Sequence, residues 1–133
     1  MPEVVVLDTH TWIWFINGDF DQFPEHWKPQ IELADHVGIS PVSCFEIALA
    51  CQRGKLVLSC SPEAWFQDAL APAGIEVFEL TPEIAVRAVG LSSIHRDPFD
   101  RIIMATALEH QAVLASVDSL LPRYPELENC LMQ

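Results

Sequence analysis

Val4-Val5-Val6-Leu7 is a continuous apolar run, ended by Asp8 and Thr9. Four such residues in a row, mostly β-branched, predict a strand covered on both faces. Thr9 then opens a helix over Thr11 to Ile16, and Asn17-Gly18 supplies its stop. Residues 21–35 read as polar loop with a weak helix. Val37-Gly38-Ile39-Ser40 reads as a second strand closed by Pro41. Ser43 and Glu46 stand three apart before the apolar run Ile47 to Ala50, which is capping-box spacing, and Gly54 ends that helix near Arg53. Ser61-Pro62-Glu63 starts another helix, with proline in its first turn, that ends near Gly74. Ile75 to Leu80 reads as a third strand. Thr81-Pro82-Glu83 starts a short helix to Gly90, Asp97-Pro98 caps a helix over Phe99 to His110, and Val113 to Ser116 form a fourth strand followed by Asp118.

Strands alternating with helices predict an α/β fold: a mostly parallel sheet between two helical layers. A length of 133 residues fits one domain, residues 1–133, and an apolar share of 50% is enough for a real core. No apolar stretch approaches the ~18 residues of a membrane span. Met1-Pro2-Glu3 is acidic where a secretory leader is basic, so a cytoplasmic location is expected. Cys44, Cys51, Cys60 and Cys130 form no C-x-x-C pair and read as reduced small hydrophobes. Charge changes the picture most. With 19 acidic and 7 basic residues the net charge is −12, which excludes a self-sufficient basic nucleic-acid binder.

Parallel sheets bind ligands at the carboxyl ends of their strands, and that rule selects among the acids. Asp8 follows the first strand, and Asp118 lies just past the fourth, two residues after Ser116. Asp100 falls in the first turn of the helix behind His95-Arg96-Asp97-Pro98, and Glu46 about one turn into the helix after the second strand. Each has a plainer reading as well. Glu46 can complete a capping box with Ser43, Asp97 can be an N-cap, Asp100 can complement a helix dipole, and Asp118 can cap a short helix over Ser119 to Leu121.

If the four converge, electrostatics limits the states open to them. Four carboxylates within ~6 Å form six pairs, each repelling by about 3 kcal/mol at an effective dielectric near 20, or on the order of 15 kcal/mol in all. That exceeds the stability of a typical domain. Such a group must take up protons, splay or bind cations. Oxygen-only ligands select a hard dication, Mg²⁺ or Mn²⁺, and the chemistry such a site serves is phosphodiester hydrolysis by activated water.

The residues resemble a known family. Val4-Val5-Val6-Leu7-Asp8-Thr9-His10-Thr11-Trp12-Ile13-Trp14 is similar to the opening of PIN-domain ribonucleases of the VapC toxin type. Ser40-Pro41-Val42-Ser43-Cys44-Phe45-Glu46-Ile47 resembles their second motif, and His95-Arg96-Asp97-Pro98-Phe99-Asp100-Arg101-Ile102-Ile103-Met104-Ala105 is the most specific match. Leu114-Ala115-Ser116-Val117-Asp118 is similar to their last motif. The resemblance implies a three-layer α/β/α sandwich and an acidic Mg²⁺ or Mn²⁺ site of Asp8, Glu46, Asp100 and Asp118 that cuts single-stranded or loop RNA. Asp97 is a possible fifth member, and Ser116 and Thr9 would hydrogen-bond within the site. A homodimer and inhibition by a VapB-type antitoxin are implied too, the latter by an Arg or Lys placed among the carboxylates.

Arg96 and Arg101 flank the third motif and are the candidates for phosphate contact, against a reading as solvated or ion-paired residues. His10 and His95 are expected to be hydrogen-bonded structural histidines. Trp12, Trp14 and Phe15 are expected to be core or dimer contacts rather than base-stacking platforms. Two other functions remain open: a phosphatase with Asp8 as nucleophile, and a non-catalytic module that keeps the fold and uses the acids for structure.

Overall fold

The structure, a computed structural model, describes residues 3–133. Four short strands, β1 (Val4–Leu7), β2 (His36–Ile39), β3 (Ile75–Val77) and β4 (Val113–Ala115), form one sheet in the order β3-β2-β1-β4. All three pairings are parallel, with Val5 opposite both Val37 and Val113, and Val37 opposite Ile75. Helices α1 (Thr9–Asn17), α2 (Trp27–Leu33), α3 (Pro41–Gln52), α4 (Pro62–Ala69), α5 (Pro82–Gly90) and α6 (Pro98–Glu109) fill the connections. Among the described residues, no helix is long and apolar enough to cross a membrane.

Strand alternation sorts β1 between two cores. Val5 and Leu7 pack with Trp12, Ile31, Ile47 and Trp65 on one face of the sheet. Val6 packs with Ile103, Met104, Leu114, Tyr124 and Leu127 on the other. Both faces are therefore covered, as the unbroken apolar run predicts, and the sandwich has the expected three layers. The buried indole of Trp12 is satisfied by donating Nε1–H to the Ala69 carbonyl at 3.1 Å.

The second strand carries a glycine for lack of space. A Cβ on Gly38 would lie 2.4 Å from the Phe78 ring, which is itself stacked on His110 with centroids 4.3 Å apart. Gly38→Ala is expected to force that ring aside and lower stability by about 1–3 kcal/mol; a melting temperature equal to wild type would show that the ring moves freely.

Several boundaries differ from the sequence reading. α1 starts at Thr9, because Asp8 is its N-cap and accepts from the Thr9 amide. α3 starts at Pro41, ahead of the expected capping box. Ser40 is the cap and accepts from the Val42 amide at 3.3 Å. Pro41 opens the helix, its fixed φ suiting the first helical position, as well as closing the strand. The segment 61–74 breaks at Leu70 (φ −108°, ψ −110°) into α4 and a 3₁₀ turn, closed by Gly74 in the left-handed region at φ +74°. The fourth strand ends at Ala115. Beyond it the C-terminal segment returns to β4: the Leu114 amide donates to the Cys130 carbonyl at 2.6 Å, and the Met132 amide donates to the Leu114 carbonyl at 2.9 Å.

The sheet order reverses direction at β1, with β2 on one side and β4 on the other. A crevice opens at the carboxyl end of such a switch point, and there the chain presents Asp8 and, after β4, Ser116 and Asp118.

Candidate active site

The crevice is a cavity of about 500 Å³ walled by Asp8, Glu46, Asp97, Asp100 and Asp118. A larger hollow of about 830 Å³ borders α5 and α6, but among the described residues its carboxylates form no metal-binding group, and its Arg87 pairs with Glu109 at 3.8 Å. The smaller cavity, whose carboxylates do form such groups, is therefore the candidate site.

Each acid is held by the element that delivers it. Asp8 leaves β1 and caps α1: Oδ1 accepts from the Thr9 amide at 2.8 Å, while Oδ2 accepts from the Ser116 hydroxyl at 2.6 Å. Asp118 Oδ1 accepts from the Leu120 amide at 2.9 Å, and its own amide donates to Ser116 Oγ at 3.2 Å. Ser116 thus ties the ends of β1 and β4 together, with its proton on Asp8. Asp97 caps α6 by accepting from the Phe99 amide at 2.9 Å, and one of its oxygens also falls in a group with Glu46 and Asp100 whose ligand atoms lie within 4.8 Å of one another. The cap and the site are served by one residue.

Glu46 makes no capping box. Its Oε1 accepts from Thr9 Oγ1 at 2.8 Å, and Thr9 Oγ1 lies 2.8 Å from Ser43 Oγ. Thr9 has one hydroxyl proton and gives it to Glu46, so Ser43 donates to Thr9. The spacing of Ser43 and Glu46 is real, but it serves a buried relay from α3 through α1 back to α3. The sequence places Thr9 in the site and gives no sign of Ser43 there.

His95 is the residue whose place the sequence pattern least anticipates. Its Nε2 lies 2.9 Å from Asp100 Oδ2 and 3.1 Å from Asp118 Oδ2, while the Asp97 amide donates to Nδ1 at 3.3 Å. An accepting Nδ1 puts the ring proton on Nε2, so His95 is a donor shared by two carboxylates. It is hydrogen-bonded, as expected of a structural histidine, but its partners are two carboxylates that wall the acidic cavity. The signal in the sequence is its position two residues before a capping Asp in a proline-bounded turn.

The two arginines part company. Arg101 spends all five of its N–H donors on backbone carbonyls: Nε on Ala88, Nη1 on Ser92 and His95, and Nη2 on Val89 and Leu91, at 2.7–3.2 Å. No donor is left for a phosphate, and this corrects the expectation that it contacts one. It instead fastens the turn carrying His95 to the start of α6. Arg96 is exposed and makes no hydrogen bond or ion pair among the described residues, so its donors stay free.

The crowding shows in the acidities. Burial first, then the charges of Asp8, Asp97 and Glu46, push the Asp100 carboxyl up to about 7 against the pull of His95. Burial, with help from Asp8 and Asp97, also raises Glu46 despite the Thr9 hydrogen bond. Among the described residues no Lys or Arg lines the cavity. An oxygen-rich group that resists its own ionisation and has no side-chain cation fits a hard dication. Glu46, Asp97 and Asp100 offer ligand oxygens within 4.8 Å of one another, as do Asp100 and Asp118 together with His95, so Asp100 is common to both sets that could hold it; Asp8 lines the same cavity but belongs to neither set.

The chain and its fold have counterparts among known proteins. The family model of the PIN domain matches residues 5–127, and the chain belongs to the PIN-domain family. It is 31% identical over 115 residues to Ribonuclease VapC22 of Mycobacterium tuberculosis, 86% of each chain being covered. VapBC2 from Rickettsia felis, solved bound to a promoter DNA fragment, shares the fold with a TM-score of 0.67 at 13% identity, covering 92% of this chain and 94% of that one. DNA-bound VapBC from Salmonella typhimurium does so with a TM-score of 0.65 at 20% identity, covering 92% of each.

Proposed function

We propose that the protein is a metal-dependent endoribonuclease and the toxin of a toxin–antitoxin pair. The observation that carries the reading is the convergence of five carboxylates, from the ends of β1 and β4, the middle of α3 and the start of α6, on one cavity that no Lys or Arg among the described residues lines. Its likeness to a named VapC ribonuclease, and its fold likeness to chains of VapBC complexes, support the toxin assignment. A VapB-type antitoxin, a second copy of the chain and a cytoplasmic location belong to the same proposal.

A bound Mg²⁺ or Mn²⁺ would supply a Lewis acid for the scissile phosphate and lower the pKa of a water. The protein's residues supply the geometry. Ser116 fixes the Asp8 carboxylate toward Asp118. Thr9, backed by Ser43, fixes one oxygen of Glu46 and leaves the other free. His95 holds Asp100 and Asp118 to a common point. Glu46, with its second oxygen unengaged, is the group placed to accept a proton from attacking water.

The test is cleavage of single-stranded RNA by partner-free protein. Internal cuts are expected with Mn²⁺ or Mg²⁺, and none after chelation with EDTA. Cleavage that persists in EDTA would overturn the metal role, and no cleavage under any divalent ion would overturn the nuclease reading.

A second expectation concerns stability. Asp100 holds its proton more tightly folded than unfolded. Its contribution is fully present below the ordinary value of 3.8 and is lost as pH rises to about 7. In EDTA the wild type should therefore lose about 2 kcal/mol relative to Asp100→Asn between pH ~4 and ~7.5, a figure halved for the 20% of the side chain that water reaches. Mn²⁺ at a hundredfold excess over its Kd should restore about 2.7 kcal/mol at pH ~7.5 and far less at pH ~5, where protons compete. Parallel melting curves for the two proteins, unmoved by Mn²⁺, would show that the carboxylates are uncoupled.

A further inference from the structure

The acidic cavity has an aromatic end. His10 and Trp14 stand one helical turn apart on α1, with ring centroids 5.6 Å apart, and both line the cavity that Asp8, Asp100 and Asp118 wall. The sequence pattern makes Trp14 a core or dimer contact. One side of it does pack against the core, which holds the indole in place, but the residue is half-buried and also borders the cavity. Neither ring has a hydrogen-bond partner among the described residues, while the neighbouring Trp12 is fully buried with its N–H satisfied. Val117, 47% exposed, contributes to the same cavity from the loop after β4. Asp8 caps the helix that carries both rings, so Trp14 lies about 9 Å along the axis from it at 1.5 Å per residue.

Charge gives this wall a purpose. The chain carries −12, no Lys or Arg lines the cavity among the described residues, and Arg101 is consumed by backbone carbonyls. Phosphate contacts, the usual source of nucleic-acid affinity, are scarce here, and an aromatic face binds a nucleobase without needing any charge. Resting on the ribonuclease reading above, we infer that Trp14, with His10 beside it, is the stacking platform for a nucleobase next to the scissile phosphate. The ligand is one unpaired base of a single-stranded RNA, and Trp14 selects for an unstacked base at that position.

The experiment uses a short single-stranded RNA with a mapped cut, prepared intact and with an abasic residue at each position flanking the cut. Wild type, Trp14→Phe, Trp14→Leu and His10→Ala are compared in Mn²⁺, below their melting temperatures. Trp14→Leu is expected to raise KM about tenfold or more, Trp14→Phe to recover most of that loss, and the exposed His10→Ala to raise KM a few-fold. At one flanking position the abasic RNA should lose about tenfold with wild type and nothing further with Trp14→Leu. An abasic penalty of the same size in wild type and Trp14→Leu at every position would overturn the platform while leaving the nuclease reading intact. So would a Trp14→Leu protein of unchanged KM whose only defect is in binding a protein partner. Failure of the wild type to cut any RNA would overturn both.

Discussion

Asp100→Asn should give a folded protein that has lost RNA cleavage by on the order of 10³-fold, about 4 kcal/mol of transition-state stabilisation. The amide keeps the size of the carboxyl and can still accept from His95, so packing is unchanged. What disappears is one charge from a group in which Asp100 already feels Asp8, Asp97 and Glu46. Stability should therefore hold or rise. Asp8→Asn should behave alike, because an amide oxygen can still accept from the Thr9 amide and keep the cap on α1. Asp8→Ala should lose the cap as well, at about 1 kcal/mol. RNA cleavage assays beside thermal melts separate the roles: an Asp100→Asn protein that cuts at the wild-type rate would make the acids structural, which is the non-catalytic module.

Arg101→Met should be among the most destabilising single changes in the chain. The guanidinium satisfies five carbonyls between Ala88 and His95. A net contribution near 1 kcal/mol per bond, reduced because water can reach some of the freed oxygens, gives a loss of about 3 kcal/mol. Arg101→Lys should recover only part of it, since an ammonium places three donors at one point where the fork places five across a span. Urea midpoints measure this directly. If stability is instead unchanged and RNA affinity falls with a shallower salt dependence, Arg101 is a phosphate contact after all.

The outline of the fold was legible because it is written in local patterns. The Val4–Leu7 run is apolar on both faces, and the structure buries it in both cores. The proline-led helix starts at Pro62, Pro82 and Pro98 fall where the sequence places them. The position of the acids was legible for a topological reason: a parallel sheet sends its strand ends to one edge, so Asp8 and Asp118 had to be neighbours if β1 and β4 were. What resisted reading depends on long-range partners. Ser43 and Glu46 have capping-box spacing, and only the arrival of Thr9, 34 positions from Ser43 in sequence, turns them to other work. Arg101 looks like a surface cation until the turn from Ala88 to His95 folds over it. Trp12 and Trp14 are two residues apart in one apolar stretch, and only the helix phase sends one inward and the other to the rim.

The return of the last residues to β4 has a consequence of its own. Cys130 and Met132 bind the backbone of Leu114, two residues before the serine that joins Asp8 to Asp118. The side chains of the same two residues are buried on opposite faces of the sheet, Met132 in the core with Trp12 and Cys130 in the core with Tyr124, so one short stretch laces both hydrophobic layers to the strand that feeds the acidic crevice. Loosening of that stretch would thus reach the crevice and both layers together.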